Sequence, residues 1–198
     1  MANTPVKLND NTTIPLLAFG TGTAHAYNTK DAQRLVTCAI NAGFKHLDGA
    51  QLYNNEELLG AGIAAAGKAR EQLFITTKLG GLPEGKTVRD ALVDSLAKLR
   101  VDYVDLFLVH TPLKFSYKEP GCLKALWKEM EGVKKEGLTR SIGVSNFRVE
   151  QLRETLDGAE VIPSINQVVT DLRQPTPDAK ICCRLSFIRM STRTCCPR

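Results

Sequence analysis

Short apolar runs recur along this chain at intervals that leave room for one helix between neighbours, and that alternation limits the fold more than any other feature. The runs are Leu16-Leu17-Ala18-Phe19, His46-Leu47-Asp48, Leu73-Phe74-Ile75-Thr76-Thr77, Val104 to Val109, Ser141-Ile142-Gly143-Val144 and Ile165-Asn166-Gln167-Val168. Each reads as a strand buried on both faces. The intervening segments have helical periodicity. From Thr87 to Leu99 the residues Val88, Ala91, Leu92, Ser95, Leu96 and Leu99 share a face, with Thr87 as N-cap and Asp90 three positions on. A second stretch lines up Leu123, Leu126, Trp127, Met130 and Val133 and stops at Gly137. A third, from about Asp31 to Ala42, buries Leu35, Val36, Ala39 and Ile40 before Gly43. Six strands joined by five long crossovers imply a parallel sheet, because a parallel neighbour requires the chain to return to the same end.

A parallel α/β sheet of this kind is either open and doubly wound or curled into a barrel. A doubly wound dinucleotide fold carries Gly-x-Gly-x-x-Gly after its first strand. Here Phe19 is followed by Gly20-Thr21-Gly22-Thr23-Ala24-His25, which does not complete the pattern. The expected fold is therefore α/β of the (β/α)8 TIM-barrel type. Leu8 to Pro15, with Asn9-Asp10-Asn11 in its middle, reads as a short hairpin across the barrel's bottom.

At 198 residues and 43% hydrophobic composition the chain supports one sizeable core. The net charge of +5 comes from Lys and Arg interspersed with Asp and Glu, which argues against a nucleic-acid partner. The first residues have neither a signal nor a transit pattern, and no apolar run approaches the roughly 20 residues of a membrane span, so the expected location is cytoplasmic with no membrane partner. Of the six cysteines, Cys38 and Cys122 read as buried thiols in helices. The pairs Cys182-Cys183 and Cys195-Cys196 lack the spacer of a zinc knuckle, so no metal site is expected.

Chemistry in a β/α barrel sits at the C-terminal ends of the strands. Asp48 closes the second strand, Tyr53 follows in the next loop, Lys78 ends the third and His110 ends the fourth. Singly, each is a common structural residue: an Asp capping a loop, a Tyr on a rim, a Lys in solvent, a His satisfied by backbone. Jointly they suggest proton donation to a carbonyl oxygen. A phenol is a poor acid near neutrality, and a neighbouring ammonium such as Lys78 is expected to lower its pKa. Asp48 would keep Lys78 charged and in place, and His110 would orient the substrate oxygen. The hydride must then come from a cofactor, since no side chain carries one.

The run Gly43-Phe44-Lys45-His46-Leu47-Asp48-Gly49-Ala50-Gln51-Leu52-Tyr53-Asn54-Asn55-Glu56-Glu57-Leu58-Leu59-Gly60 closely resembles the first signature of the aldo-keto reductases, NADP-dependent oxidoreductases. Val104-Asp105-Leu106-Phe107-Leu108-Val109-His110 is similar to the strand that carries their substrate-orienting histidine, and Ile142-Gly143-Val144-Ser145-Asn146-Phe147 resembles a later motif. The resemblance covers about Leu8 to Val168. It implies Tyr53 as proton donor with Asp48, Lys78 and His110 completing a catalytic tetrad. It also implies that Ser145 and Asn146 hydrogen-bond the nicotinamide amide, that Gln167 supports the same ring, and that Gly20 and Thr21 lie against the cofactor. The cofactor so implied is NADPH, with NADH as the alternative, and the partner is a small-molecule carbonyl substrate.

After Gln167 the pattern departs: Val168-Val169-Thr170-Asp171-Leu172-Arg173-Gln174-Pro175 stands where the family continues with an acidic residue and His-Pro. The expected organisation is an incomplete barrel over residues 1–168, with its last two βα units missing, and an irregular tail over 169–198. Each missing strand removes about three inward side chains worth roughly 1.5 to 3 kcal/mol apiece, so two units are comparable to the whole stability of a domain. Unpaired first and sixth strands and marginal stability are expected. A second reading is accordingly a catalytically inactive relative that acts through its exposed edges. A third makes the cysteine- and arginine-rich tail a metal or nucleic-acid appendage.

Overall fold

The computed structural model describes residues 5–22, 31–115, 119–168 and 189–190. It opens with an antiparallel hairpin, β1 (Pro5–Lys7) and β2 (Thr13–Pro15), paired Val6 to Ile14 and turned through Asn11 at φ 68°. Thr12 closes that turn by donating its backbone N–H to Asp10 Oδ1 at 3.1 Å. Six parallel strands follow: β3 (Leu17–Gly20), β4 (His46–Asp48), β5 (Phe74–Leu79), β6 (Val104–Val109), β7 (Thr139–Ser145) and β8 (Asn166–Gln167). Neighbours in sequence are neighbours in the sheet, from β3 through to β8. This is the incomplete α/β barrel expected of the strand pattern. The two-residue strand β9 (Arg189–Met190) pairs parallel with β3, so β3 is not the bare edge expected of it. The remaining tail residues, including Cys182, Cys183, Cys195 and Cys196, lie outside the described residues.

Among the described residues, five helices return the chain between strands: α1 (Ala32–Asn41), α2 (Glu56–Ala66), α3 (Val88–Leu99), α4 (Cys122–Lys135) and α5 (Val149–Leu156). Thr87 caps α3 as its sequence indicates: its hydroxyl accepts from Asp90 N at 3.1 Å, and Asp90 Oδ2 accepts from Thr87 N at 3.0 Å. The buried faces of α3 and α4 are those read from periodicity. In α1 Val36, Ala39 and Ile40 are buried as their spacing indicates, Ala32 extends the same stripe one turn earlier, and Leu35 is only half-buried. Cys38 and Cys122 are likewise half-buried, because each lies at the flank of its helix's apolar stripe, and both are free thiols.

The alternation of side chains along a strand sorts the sheet into two faces. On β6, Phe107 and Val109 join the large cluster beneath the helices, with Leu47, Ile75, Ile142, Leu92, Trp127 and Met130. Leu106 and Leu108 point the other way and pack with Leu8 and Ile14 of the hairpin and Ile165, which makes the hairpin the floor of the barrel. Parity then dictates the rest. Residues in step with Leu106 and Leu108 face the interior, and at the upper ends of the strands these include Asp48, Lys78, His110, Ser145 and Gln167.

Candidate active site

Tyr53 is delivered by a single 3-10 turn, Gln51–Tyr53, directly after β4, and the loop reverses at Asn54 with φ 53°. Its ring meets that of His110 edge to face, with centroids 5.3 Å apart and planes at 86°. Lys78 Nζ stands 5.2 Å from the Tyr53 ring centroid. The four residues singled out at strand ends thus converge on one mouth, from β4, the loop after it, β5 and the end of β6.

Lys78 and Asp48 are both buried, at 2% and 0% exposure, so neither charge is solvated and each needs the other. The Lys78 ammonium donates to Asp48 Oδ1 and, at 2.9 Å, to the Gly49 carbonyl. Asp48 Oδ2 accepts from Gln167 Nε2 at 3.0 Å. Burial pulls the Lys78 pKa down, and the Asp48 carboxylate opposes that fall.

The Tyr53 pKa differs from expectation. Burial, and then the Asp48 carboxylate, push it up rather than down. The main physical reason is burial, which disfavours the charged phenolate, and the Asp48 carboxylate adds like-charge repulsion to it. Tyr53 therefore keeps its proton at neutral pH. His110 is held down at about 4, by burial and then by Lys78, with Asp48 opposing, and is a neutral imidazole at the same pH.

The residues that resemblance places at the cofactor sit at the same end. Gly20 pairs with Asp48 across β3 and β4. Thr21 is buried, donates its backbone N–H to Asp48 O at 3.0 Å, and turns its hydroxyl to Asp48 O and Asn55 Oδ1. Ser145 Oγ donates to Gln167 O at 2.6 Å. Asn146, at φ 61°, donates its side-chain amide to His110 O and to Ser145 Oγ, both at 3.0 Å. Gln167 Oε1 and His110 Nδ1 are buried without a partner among the described residues. Among those residues no group of His, Cys, Asp and Glu is arranged to hold a metal ion, and no helix is long and apolar enough to cross a membrane.

Several residues of the site were not singled out from the sequence. Gly22 packs on the Tyr53 phenol, so closely that a methyl there would stand 2.7 Å from the hydroxyl oxygen. Asn55 Nδ2 donates to Thr21 O at 3.0 Å and ties the tyrosine loop to β3. Gly22 lay within the Gly20-Thr21-Gly22 run and Asn55 within the signature that begins at Gly43. Those were the available signals.

The profile of the Aldo/keto reductase family matches residues 16–182. The chain belongs to that family. Among curated aldo-keto reductases it is 42% identical over 164 residues to glyoxal reductase of Bacillus subtilis (strain 168), covering 82% of this chain and 56% of that enzyme. It is 40% identical over 171 residues to methylglyoxal reductase DkgA of Escherichia coli (strain K12), covering 85% and 58%. The solved aldo-keto reductase AKR2E4 of Bombyx mori, in complex with NADP, superposes with a TM-score of 0.72 at 38% identity, over 86% of this chain and 59% of that one. This aldo-keto reductase chain therefore spans a little over half the length of the relatives it matches.

Proposed function

We propose that this chain supplies the catalytic face of a nicotinamide-dependent reductase that converts small aldehydes and ketones to alcohols, with Tyr53 as proton donor. The observation that carries the reading is the convergence of a protonated phenol, a neutral imidazole and a buried Lys78–Asp48 pair on one barrel mouth. A carbonyl oxygen placed between Tyr53 and His110 receives a hydrogen bond from each, and the phenol proton passes to it as negative charge develops. The Lys78 ammonium, just beyond the ring, stabilises the phenolate left behind. Asp48 keeps that ammonium charged despite its burial.

The residues fit a nicotinamide. Gln167 Oε1 is a buried acceptor without a partner among the described residues, suited to the N–H of a carboxamide, and Ser145 and Asn146 form a polar pair beside it. Gly20 and Thr21 border the same space at the end of β3. When bound, a reduced nicotinamide supplies the hydride that these side chains lack. NADPH is the cofactor proposed first, since the silkworm relative was solved with NADP, and NADH is the alternative. The glyoxal and methylglyoxal reductases among the relatives make small 2-oxoaldehydes the first substrates to try, in a cytoplasmic setting.

The test is NADPH oxidation by the full chain on addition of methylglyoxal, together with a titration for saturable NADPH binding. Turnover with saturable binding is the expected result. Neither turnover nor binding would leave the non-enzyme reading in its place.

A further inference from the structure

The short turn that delivers Tyr53 has a brace of its own. The Gln51 amide Oε1 accepts from Gly80 N at the end of β5 (2.8 Å), while its Nε2 donates to Ala91 O and Ser95 Oγ on α3 (3.0 Å each). One side chain thus joins the loop after β4 to a strand end and to a helix. Ser95, 1% exposed, donates its hydroxyl hydrogen bond to Glu56 Oε2 at 3.2 Å, and Glu56 Oε1 accepts from Thr77 Oγ1 at 2.6 Å. That fixes Ser95 as an acceptor toward Gln51, and so fixes which way the Gln51 amide is turned. Gly80 completes the fit, because any side chain there would run into Leu52 and Gln51.

None of these groups touches the reacting atoms. Gln51 is two residues from Tyr53 on a one-turn helix, and Asn54 N closes that turn on Gln51 O at 3.1 Å. A shift of the Gln51 backbone, which its braced side chain holds in place, is therefore carried along the turn to Tyr53. We infer that Gln51, oriented by Ser95 and Glu56, is a positioning residue for Tyr53, a brace that sets the phenol relative to His110. The inference rests on the reading of Tyr53 as the proton donor.

The test compares the full chain with Gln51→Leu and Ser95→Ala, by steady-state kinetics, thermal melting and NMR of ring-labelled tyrosine, with Tyr53 assigned through Tyr53→Phe. Positioning requires the Tyr53 resonance alone to shift or broaden in both variants. It also requires kcat to fall about tenfold or more in Gln51→Leu, toward the roughly hundredfold that a displacement of about 1 Å costs, with the cofactor KM unchanged. Ser95→Ala carries the test if Gln51→Leu does not fold. An unmoved Tyr53 resonance, or shifts spread over all tyrosines in step with lost thermal stability, overturns the inference. A wild-type chain without turnover whose variants still displace Tyr53 retires the proposed function and leaves the brace standing. An active wild type with an unmoved resonance does the reverse.

Discussion

Gly22 lies against the phenol of Tyr53 so closely that a single added methyl would sit 2.7 Å from the tyrosine hydroxyl. The atoms it would strike are at the free end of a side chain, not in the backbone, so the side chain is what yields. Gly22→Ala is expected to swing Tyr53 away from His110, cutting turnover about ten- to hundredfold while the melting temperature changes little. Parallel melting curves and kcat measurements check this. A large loss of stability with normal turnover per folded molecule would place the strain in the backbone instead.

The Lys78–Asp48 pair is buried on both sides, at 2% and 1% side-chain exposure. Removing one partner strands the other charge in a medium that cannot solvate it. Asp48→Asn alone is expected to cost about 3 to 5 kcal/mol, and Asp48→Asn with Lys78→Met less than the sum of the two single changes. Denaturant unfolding of the three variants gives the comparison; strict additivity would mean that the pair does not act as a unit.

His46 makes the fold acid-sensitive. It is 1% exposed, its Nε2 meets Thr76 Oγ1 at 2.8 Å, and burial, opposed by Asp48, holds its pKa at about 4 against an ordinary 6.5. As pH falls below 6.5 the unfolded chain takes up a proton that the folded one refuses, so stability declines from about pH 6.5 down to about pH 4. It is level above that window. The loss from this residue reaches about 3 kcal/mol, and His46→Gln is expected to flatten the curve. His110, also held at about 4, leaves a residual slope in the same window. Unfolding free energies measured at stepwise pH test the difference; equal slopes in the two proteins would exclude His46 as the origin.

How much of this could be read from the chain depends on the range of the interaction. Strands announced themselves because Leu106, Phe107, Leu108 and Val109 are buried on both faces, and α3 because Thr87 and Asp90 cap it locally. Helix α2 gave a weaker signal. Its buried face mixes Leu59 and Ile63 with glycines that let helices approach closely, Gly60 against the backbone of Lys98 and Leu99 and Gly62 against Val36. Leu35 is half-buried rather than buried, because the apolar stripe of α1 runs through Ala32, Val36, Ala39 and Ile40 and leaves Leu35 at its edge.

The positions of Asp48, Tyr53, Lys78 and His110 were legible from strand ends alone, but their electrostatics were not. Whether Lys78 acts on Tyr53 or on Asp48 depends on side-chain directions that spacing does not encode. The links from Gln51 to Ser95 and from Gln167 to Asp48 span 44 and 119 residues, and no local pattern announces either.

The central claim is that Tyr53 hands its proton to the substrate oxygen, and replacing Tyr53 with Phe tests it most directly because the ring stays while the proton goes. Carbonyl reduction by Tyr53→Phe should fall by on the order of 10²- to 10⁴-fold with folding and NADPH binding retained. Undiminished reduction by a folded, cofactor-binding Tyr53→Phe chain would contradict it.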